Sequence, residues 1–272
     1  MMFQTQLARR LCAALPSAAL LLCLAAAGPT WAASLPVEDP AAAYAQCMAL
    51  TRERPRDAFG AAVAWEGLGG GEAARHCAAV ALFELGEYDE AAHRLETLAQ
   101  ESRQPLPLRL DLLAQAGAGW LRGGHPGRAE AVLDTAIGLA ERRGDGVPSV
   151  LPGLLIDRAT ARADQGRDLD AARDLDRALD LQPGSVEALT LRASALRRTG
   201  SLAAARADAE AALARDPAHA GALLELGNIE RLSGAADSAR AAWMRLLAVA
   251  PDGPEAAAAR DNLARLDVGE SN

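Results

Sequence analysis

The sequence predicts an all-α protein, a solenoid of stacked helix-turn-helix repeats with a C-terminal capping helix. Three observations carry that fold class. Residues 186–251 read twice through one pattern: small residues at Ala193 and Ala205 and then Gly227 and Ala239, turn glycines Gly200 and Gly234, and closing prolines Pro217 and Pro251, each pair 34 residues apart. Half of the 272 residues are hydrophobic yet only 3% are aromatic, so alanine and leucine fill the interior, which suits helices packed through small faces. A single helical hairpin cannot bury its own apolar stripe, so several must stack.

Residues 1–33 read as a secretory signal peptide. Arg9 and Arg10 supply the positive end, 11–27 is apolar, and Thr30-Trp31-Ala32 places small residues around a cleavage point after Ala32 or Ala33. Cys23 follows Leu22, whereas a lipobox wants a small residue there, so no lipid anchor is expected. The apolar run holds Pro16 and is short for a membrane span, which needs roughly 20 residues. Cleavage leaves 26 arginines, no lysine and 36 acidic residues, a net charge of −10. That balance excludes nucleic acid and an anionic membrane surface as natural partners, because both attract basic patches.

The chain then follows in order. Residues 34–71 hold an irregular helical pair, expected over about 41–52 and 56–67 and punctuated by Pro55 and the run Gly69-Gly70-Gly71. A differing terminal unit is what an array end requires, since it covers only one neighbour. About five repeats follow over 72–251, with turns at Gly86, Gly124, Gly166, Gly200 and Gly234, spaced 38, 42, 34 and 34 residues apart. The extra residues fall in 102–107 and 143–152, which carry the Pro and Gly of inserted loops. Small residues at Ala193, Ala205 and Ala212 let antiparallel helices approach to about 8–10 Å, and Leu189, Leu196 and Leu213 fill the gaps beside them. Residues 252–272 supply a capping helix, begun by Pro254 and Glu255 and running to about Leu266, with a frayed tail from Asp267.

The 34-residue period, with Gly86-Glu87-Tyr88-Asp89-Glu90-Ala91 at one turn and Ala159, Gly166, Ala171, Ala178 and Pro183 at another, resembles the tetratricopeptide repeat family over about 72–251. Leu189 and Leu223 stand where the family usually has tryptophan, and Leu196 and Glu230 where it has tyrosine. The resemblance implies a right-handed α-solenoid that acts as a scaffold and holds a peptide or helix on the concave surface of the first helices. Projecting the family's groove positions selects Thr190, Ser194, Arg197, Arg198, Asn228 and Arg231, with Thr160 and Asp164 one repeat earlier. Arginine forks and an amide there suit an acidic segment or a free carboxylate; the alternative is that Arg197, Arg198 and Arg231 serve the C-terminal dipoles of their helices. The dicarboxylate clamp of some family members needs a basic residue where Thr190 and Leu224 stand.

In such a solenoid Cys47 and Cys77 lie on neighbouring first helices. Two readings stand: a disulfide stapling the N-terminal pair to the first repeat, or two separate buried thiols. His76 and His93 share a repeat with Cys77, but the spacing matches no compact zinc pattern and no CxxC occurs, so no metal is expected. No phosphate-cradling glycine loop, G-x-S-x-G or H-E-x-x-H is present, so neither enzyme nor cofactor is expected. The sequence therefore reads as a periplasmic or secreted, non-catalytic scaffold that binds other proteins. Two alternatives remain: an accessory module that takes a small acidic ligand or glycan, and an assembly factor tethered to the membrane by an uncleaved leader.

Overall fold

The computed structural model describes residues 39–142 and 149–270; the leader expected over 1–33 and most of the insertion at 143–152 lie outside the described residues. Thirteen α-helices, one π-helical turn (Glu66–Gly70) and no strand occur among the described residues. They are α1 (Pro40–Glu53), α2 (Pro55–Trp65), α3 (Gly71–Glu84), α4 (Tyr88–Glu101), α5 (Leu106–Arg122), α6 (Pro126–Glu141), α7 (Leu151–Asp164), α8 (Asp168–Leu181), α9 (Val186–Arg198), α10 (Leu202–Arg215), α11 (Ala220–Leu232), α12 (Ala236–Val249) and α13 (Pro254–Glu270). Each helix packs on the next, and first helices meet across repeats, α1 on α3, α5 on α7, α9 on α11 and α11 on α13. The last helix reaches Glu270, four residues beyond the end expected at Leu266.

Local chemistry explains the helix ends. Asp39 Oδ1 accepts from the amides of Ala41 and Ala42, and Ser185 Oγ from that of Ala188, filling backbone donors that a helix start leaves open. Pro55 and Pro126 open their helices, where a missing N–H costs nothing. The repeat turns need a left-handed residue: Gly200 has φ +84°, a conformation glycine adopts without strain.

Within each repeat, one side-chain pair sets how closely the two helices cross. It joins the residue seven before the turn glycine to the residue nine after it: Ala79/Leu95, Gly117/Leu133, Ala159/Leu175, Ala193/Ala209 and Gly227/Trp243, all buried. The larger partner tends to face the smaller one. A Cβ on Gly117 would lie 2.9 Å from Leu133, and one on Gly227 only 2.3 Å from the Trp243 indole nitrogen. That nitrogen is buried and has no hydrogen-bond partner.

Between repeats, the middle of the array is held by arginine clamps. Arg158 on α7 donates to Asp134 on α6 and, through two nitrogens, to Asp174 on α8 at 2.9 and 2.6 Å. Thirty-four residues on, Arg192 on α9 repeats the arrangement with Asp176 on α8 and with both oxygens of Asp208 on α10. Asp174 and Asp208 are nearly inaccessible, so each would be a costly lone charge without its fork. A second inter-repeat pair reverses its polarity along the chain: Glu130 on α6 faces Arg162 on α7, whereas Arg206 on α10 faces Glu230 on α11. Burial alone would raise the Glu130 carboxyl, but hydrogen bonds from Arg162, Gln165 and Arg167 outweigh it and hold it below the ordinary range.

The N-terminal pair has its own small core of Ala43, Cys47, Ala62, Trp65, Ala74, Cys77 and Ala78. A disulfide joins Cys47 on α1 to Cys77 on α3, with Cα atoms 6.2 Å apart.

Candidate functional site

The first helices form one continuous surface, and the structure puts two different kinds of site on it. Near the N-terminal end, α3 and α5 splay apart, unlike the pairs α5/α7 and α9/α11. The longer connection at 102–105 occupies that junction, anchored where the Glu72 carboxylate accepts from Ser102 Oγ at 2.6 Å and from the Arg103 amide. A cavity of about 440 Å³ opens in the gap, with Leu98 and Leu112 at its base and Leu108 and Asp111 at its rim. Leu108 is 51% exposed, a large apolar side chain that the chain's own packing leaves uncovered.

One wall is a hydrogen-bonded chain across three first helices. Tyr44 Oη on α1 lies 2.8 Å from His76 Nδ1 on α3, and His76 Nε2 lies 3.0 Å from Gln115 Oε1 on α5. The amide oxygen can only accept, so Nε2 carries the proton and the tyrosine hydroxyl donates to Nδ1. Burial lowers the His76 pKa against the opposing pull of the Gln115 bond, and burial raises that of Tyr44. Both side chains are therefore neutral in this wall. The cavity presents neutral hydrogen-bonding groups, an apolar base and the Asp111 and Glu72 carboxylates.

At the other end, the six residues projected as a groove sit on α9 and α11. Thr190 is buried and its hydroxyl donates to the Val186 carbonyl at 2.8 Å. Arg197 Nε donates to Glu225 on α11 at 2.6 Å, and Arg198 pairs with Asp168 on α8 at 2.7 Å. Asn228 Oδ1 accepts from Asn262 on α13 at 2.9 Å. Ser194 is partly exposed, and Arg231 is exposed at the end of α11. Thr160 bonds its own helix at the Ile156 carbonyl, and Asp164 is exposed. An acidic segment meeting Arg197 must therefore displace Glu225.

Between these ends lies Asp157 on α7. Burial first, and then the negative charge of Glu187 on α9, push its carboxyl up to about 6. Sequence reasoning did not single out Tyr44, Gln115 or Asp157. Their signal is tertiary: each is ordinary in its own helix and unusual only for what the neighbouring first helix brings beside it. Among the described residues, no three His, Cys, Asp or Glu side chains gather as metal ligands. No described helix is long and apolar enough to cross a membrane.

The profile of the tetratricopeptide repeat family matches residues 156–217 and 190–257. No curated protein matches the chain. Among solved structures, the chain is similar to PilW, a widely conserved type IV pilus biogenesis factor, at 20% identity over 78% of this chain and 96% of that one, with a TM-score of 0.62. It is also similar to MamA residues 41 to the end from Desulfovibrio magneticus RS-1 (15% identity, 65% and 94% coverage, TM-score 0.55). A third is YrrB, described as a TPR protein with an unusual peptide-binding site (18% identity, 73% and 96% coverage, TM-score 0.51). Residues 156–257 thus match the tetratricopeptide repeat profile, and the chain shares the helical-repeat fold of these solved structures.

Proposed function

We propose that the chain is an exported, non-catalytic scaffold that holds a segment of another protein along its first helices. The surface runs from the Tyr44–His76–Gln115 cavity to the ledge of Thr190, Ser194, Arg197, Arg198, Asn228 and Arg231. The observation that carries this reading is the cavity of about 440 Å³ beside the half-exposed Leu108, a size suited to apolar side chains of a partner. YrrB, similar in fold, is described as having a peptide-binding site, which supports a binding role. Export is supported by the signal-peptide character of residues 1–33 and by a disulfide of the kind that persists in oxidising compartments. A role in envelope assembly fits a scaffold so placed.

The test places a photo-crosslinking residue at Leu108, and in a second protein at Leu169, which is 62% exposed on a second helix. Irradiation in intact cells should give an adduct of defined mass from position 108 and none from 169. Equal adducts from both positions, or none from 108, refute the reading. N-terminal sequencing of the mature protein should start at Ala33 or Ser34; a retained leader would replace export in soluble form with membrane tethering.

A further inference from the structure

The opposite face, lined by second helices, carries a separate site. The clamp described above uses three positions: an acid on the preceding second helix, an arginine on the first helix and an acid on its partner. At α6–α7–α8 they are Asp134, Arg158 and Asp174, and at α8–α9–α10 they are Asp176, Arg192 and Asp208. One repeat earlier, the same positions relative to the turn glycine hold Glu96, Ala116 and Val132. The arginine and one acid are gone. Glu96 instead accepts from the Trp120 indole N–H at 2.6 Å. Among the described residues no arginine stands at the clamp position between α4 and α6, and a groove of about 500 Å³ lies there, floored by Leu113, Trp120 and Val132.

The polar groups of this groove fall into two sets. Along its length Thr135 Oγ1 donates to the Ala131 carbonyl and Glu96 Oε1 accepts from Trp120, while His93 and Gln100 on α4 stand exposed on one wall. Among the described residues, two arginines stand at its ends without a carboxylate partner. Arg109 on α5 places Nε on the Ala99 carbonyl, and Arg128 on α6 lies 4.6 Å over the Trp120 ring. Arg109 and Trp120 are eleven residues apart on α5, about 16 Å at 1.5 Å per residue. An occupant that matches has an apolar middle and an anionic end.

We infer that this outer groove binds a small amphipathic carboxylate, an unbranched apolar chain whose carboxylate pairs with Arg128 or Arg109. The chain lies over Leu113 and Val132, and the carboxylate pairs with a guanidinium, as the acids of the neighbouring clamps pair with Arg158 and Arg192. Displacing Arg128 from the indole makes Trp120 a reporter of occupancy.

The experiment titrates the purified mature chain with decanoate and, separately, with decyltrimethylammonium, both below micelle formation, by calorimetry and tryptophan emission. Decanoate should saturate at one per chain and change an emission signal that is lost in Trp120→Phe. The cationic probe should bind at least about tenfold more weakly, although the acidic chain would favour it in non-specific association. Arg128→Glu, an exposed change, or Arg109→Glu, whichever arginine holds the carboxylate, should weaken decanoate about tenfold, the loss of one charge-assisted contact, with the helical circular dichroism unchanged. Absence of saturation, equal affinity for the two probes, or wild-type affinity in both arginine variants overturns the assignment. So does binding of an acidic amphipathic helical peptide in this groove without binding of decanoate.

Discussion

The Gly227/Trp243 contact yields a prediction in which one substitution changes sign with its neighbour. In the native chain, a Cβ at position 227 would meet Trp243 Nε1 at 2.3 Å and Cδ1 at 2.5 Å, so Gly227→Ala forces the indole or the α11–α12 crossing to shift. Overpacking of this kind costs about 1–3 kcal/mol, against a gain of up to about 1 kcal/mol from replacing glycine inside a helix. The net expectation is a loss of about 1–2 kcal/mol. Trp243→Leu removes a fully buried ring and leaves a void, costing about 2–3 kcal/mol, but it also removes an indole N–H that has no partner, which returns about 1 kcal/mol. The single variant recreates the Gly117/Leu133 pair of the third hairpin, and adding Gly227→Ala recreates the Ala159/Leu175 pair of the fourth. In that background the new methyl fills part of the void, and Gly227→Ala should stabilise by about 1 kcal/mol. The coupling energy is then about 2–3 kcal/mol, at the upper end for residues in contact. Urea unfolding by circular dichroism gives the four stabilities. Amide exchange in α11 and α12 checks that the change is local, since a solenoid unit senses chiefly its neighbours. The same sign in both backgrounds, or a coupling below about 0.5 kcal/mol, would refute volume complementarity at this crossing.

Four further outcomes follow from the charges and the staple. Arg192→Met strands Asp208, whose side chain is 10% exposed, and should cost about 3 kcal/mol in urea unfolding, whereas Arg192→Met with Asp208→Leu should recover most of it. Arg158→Met should cost less than Arg192→Met, because Arg162 still reaches Asp174 at 2.7 Å; a larger loss would contradict the clamp geometry. Reduction of Cys47–Cys77, or replacement of both by alanine, should destabilise the N-terminal pair by about 3 kcal/mol for a loop of 30 residues, read as a lower melting temperature; alkylation of both thiols in unreduced mature protein would refute the bridge. Asp157 titrates near 6 in the fold against an ordinary 3.8, so the folded state holds its proton more tightly. Its penalty is absent below pH 3.8, grows as pH rises to 6 and is complete above, so Asp157→Asn should add about 1–2 kcal/mol at pH 8, with no gain at pH 3.5. An equal gain at both pH values would assign the effect to packing.

The repeat boundaries were legible because each depends on one residue type doing one local thing. Glycine at Gly200 and Gly234 takes a backbone conformation other residues avoid, proline at Pro217 and Pro251 ends a helix, and Ala193 and Ala205 permit close approach. The proposed binding surface was not legible in the same way. The family's groove positions selected Arg197, Arg198 and Asn228, but not that Glu225, Asp168 and Asn262 engage them. The cavity at Tyr44, His76 and Gln115 depends on the splay of α3 from α5. That splay arises at a four-residue lengthening whose effect on helix placement has no local signature.

The sequence by itself determined the all-α class of stacked helical hairpins, because helix ends, turns and small packing positions are set by interactions within about one turn of chain. The tertiary structure alone decided which arginines are engaged, which polar chain crosses three first helices, and where the array is left unfilled. Those depend on residues 16 to 39 positions apart, as in Arg158 with Asp174 and His76 with Gln115, whose meeting is fixed only when neighbouring repeats stack.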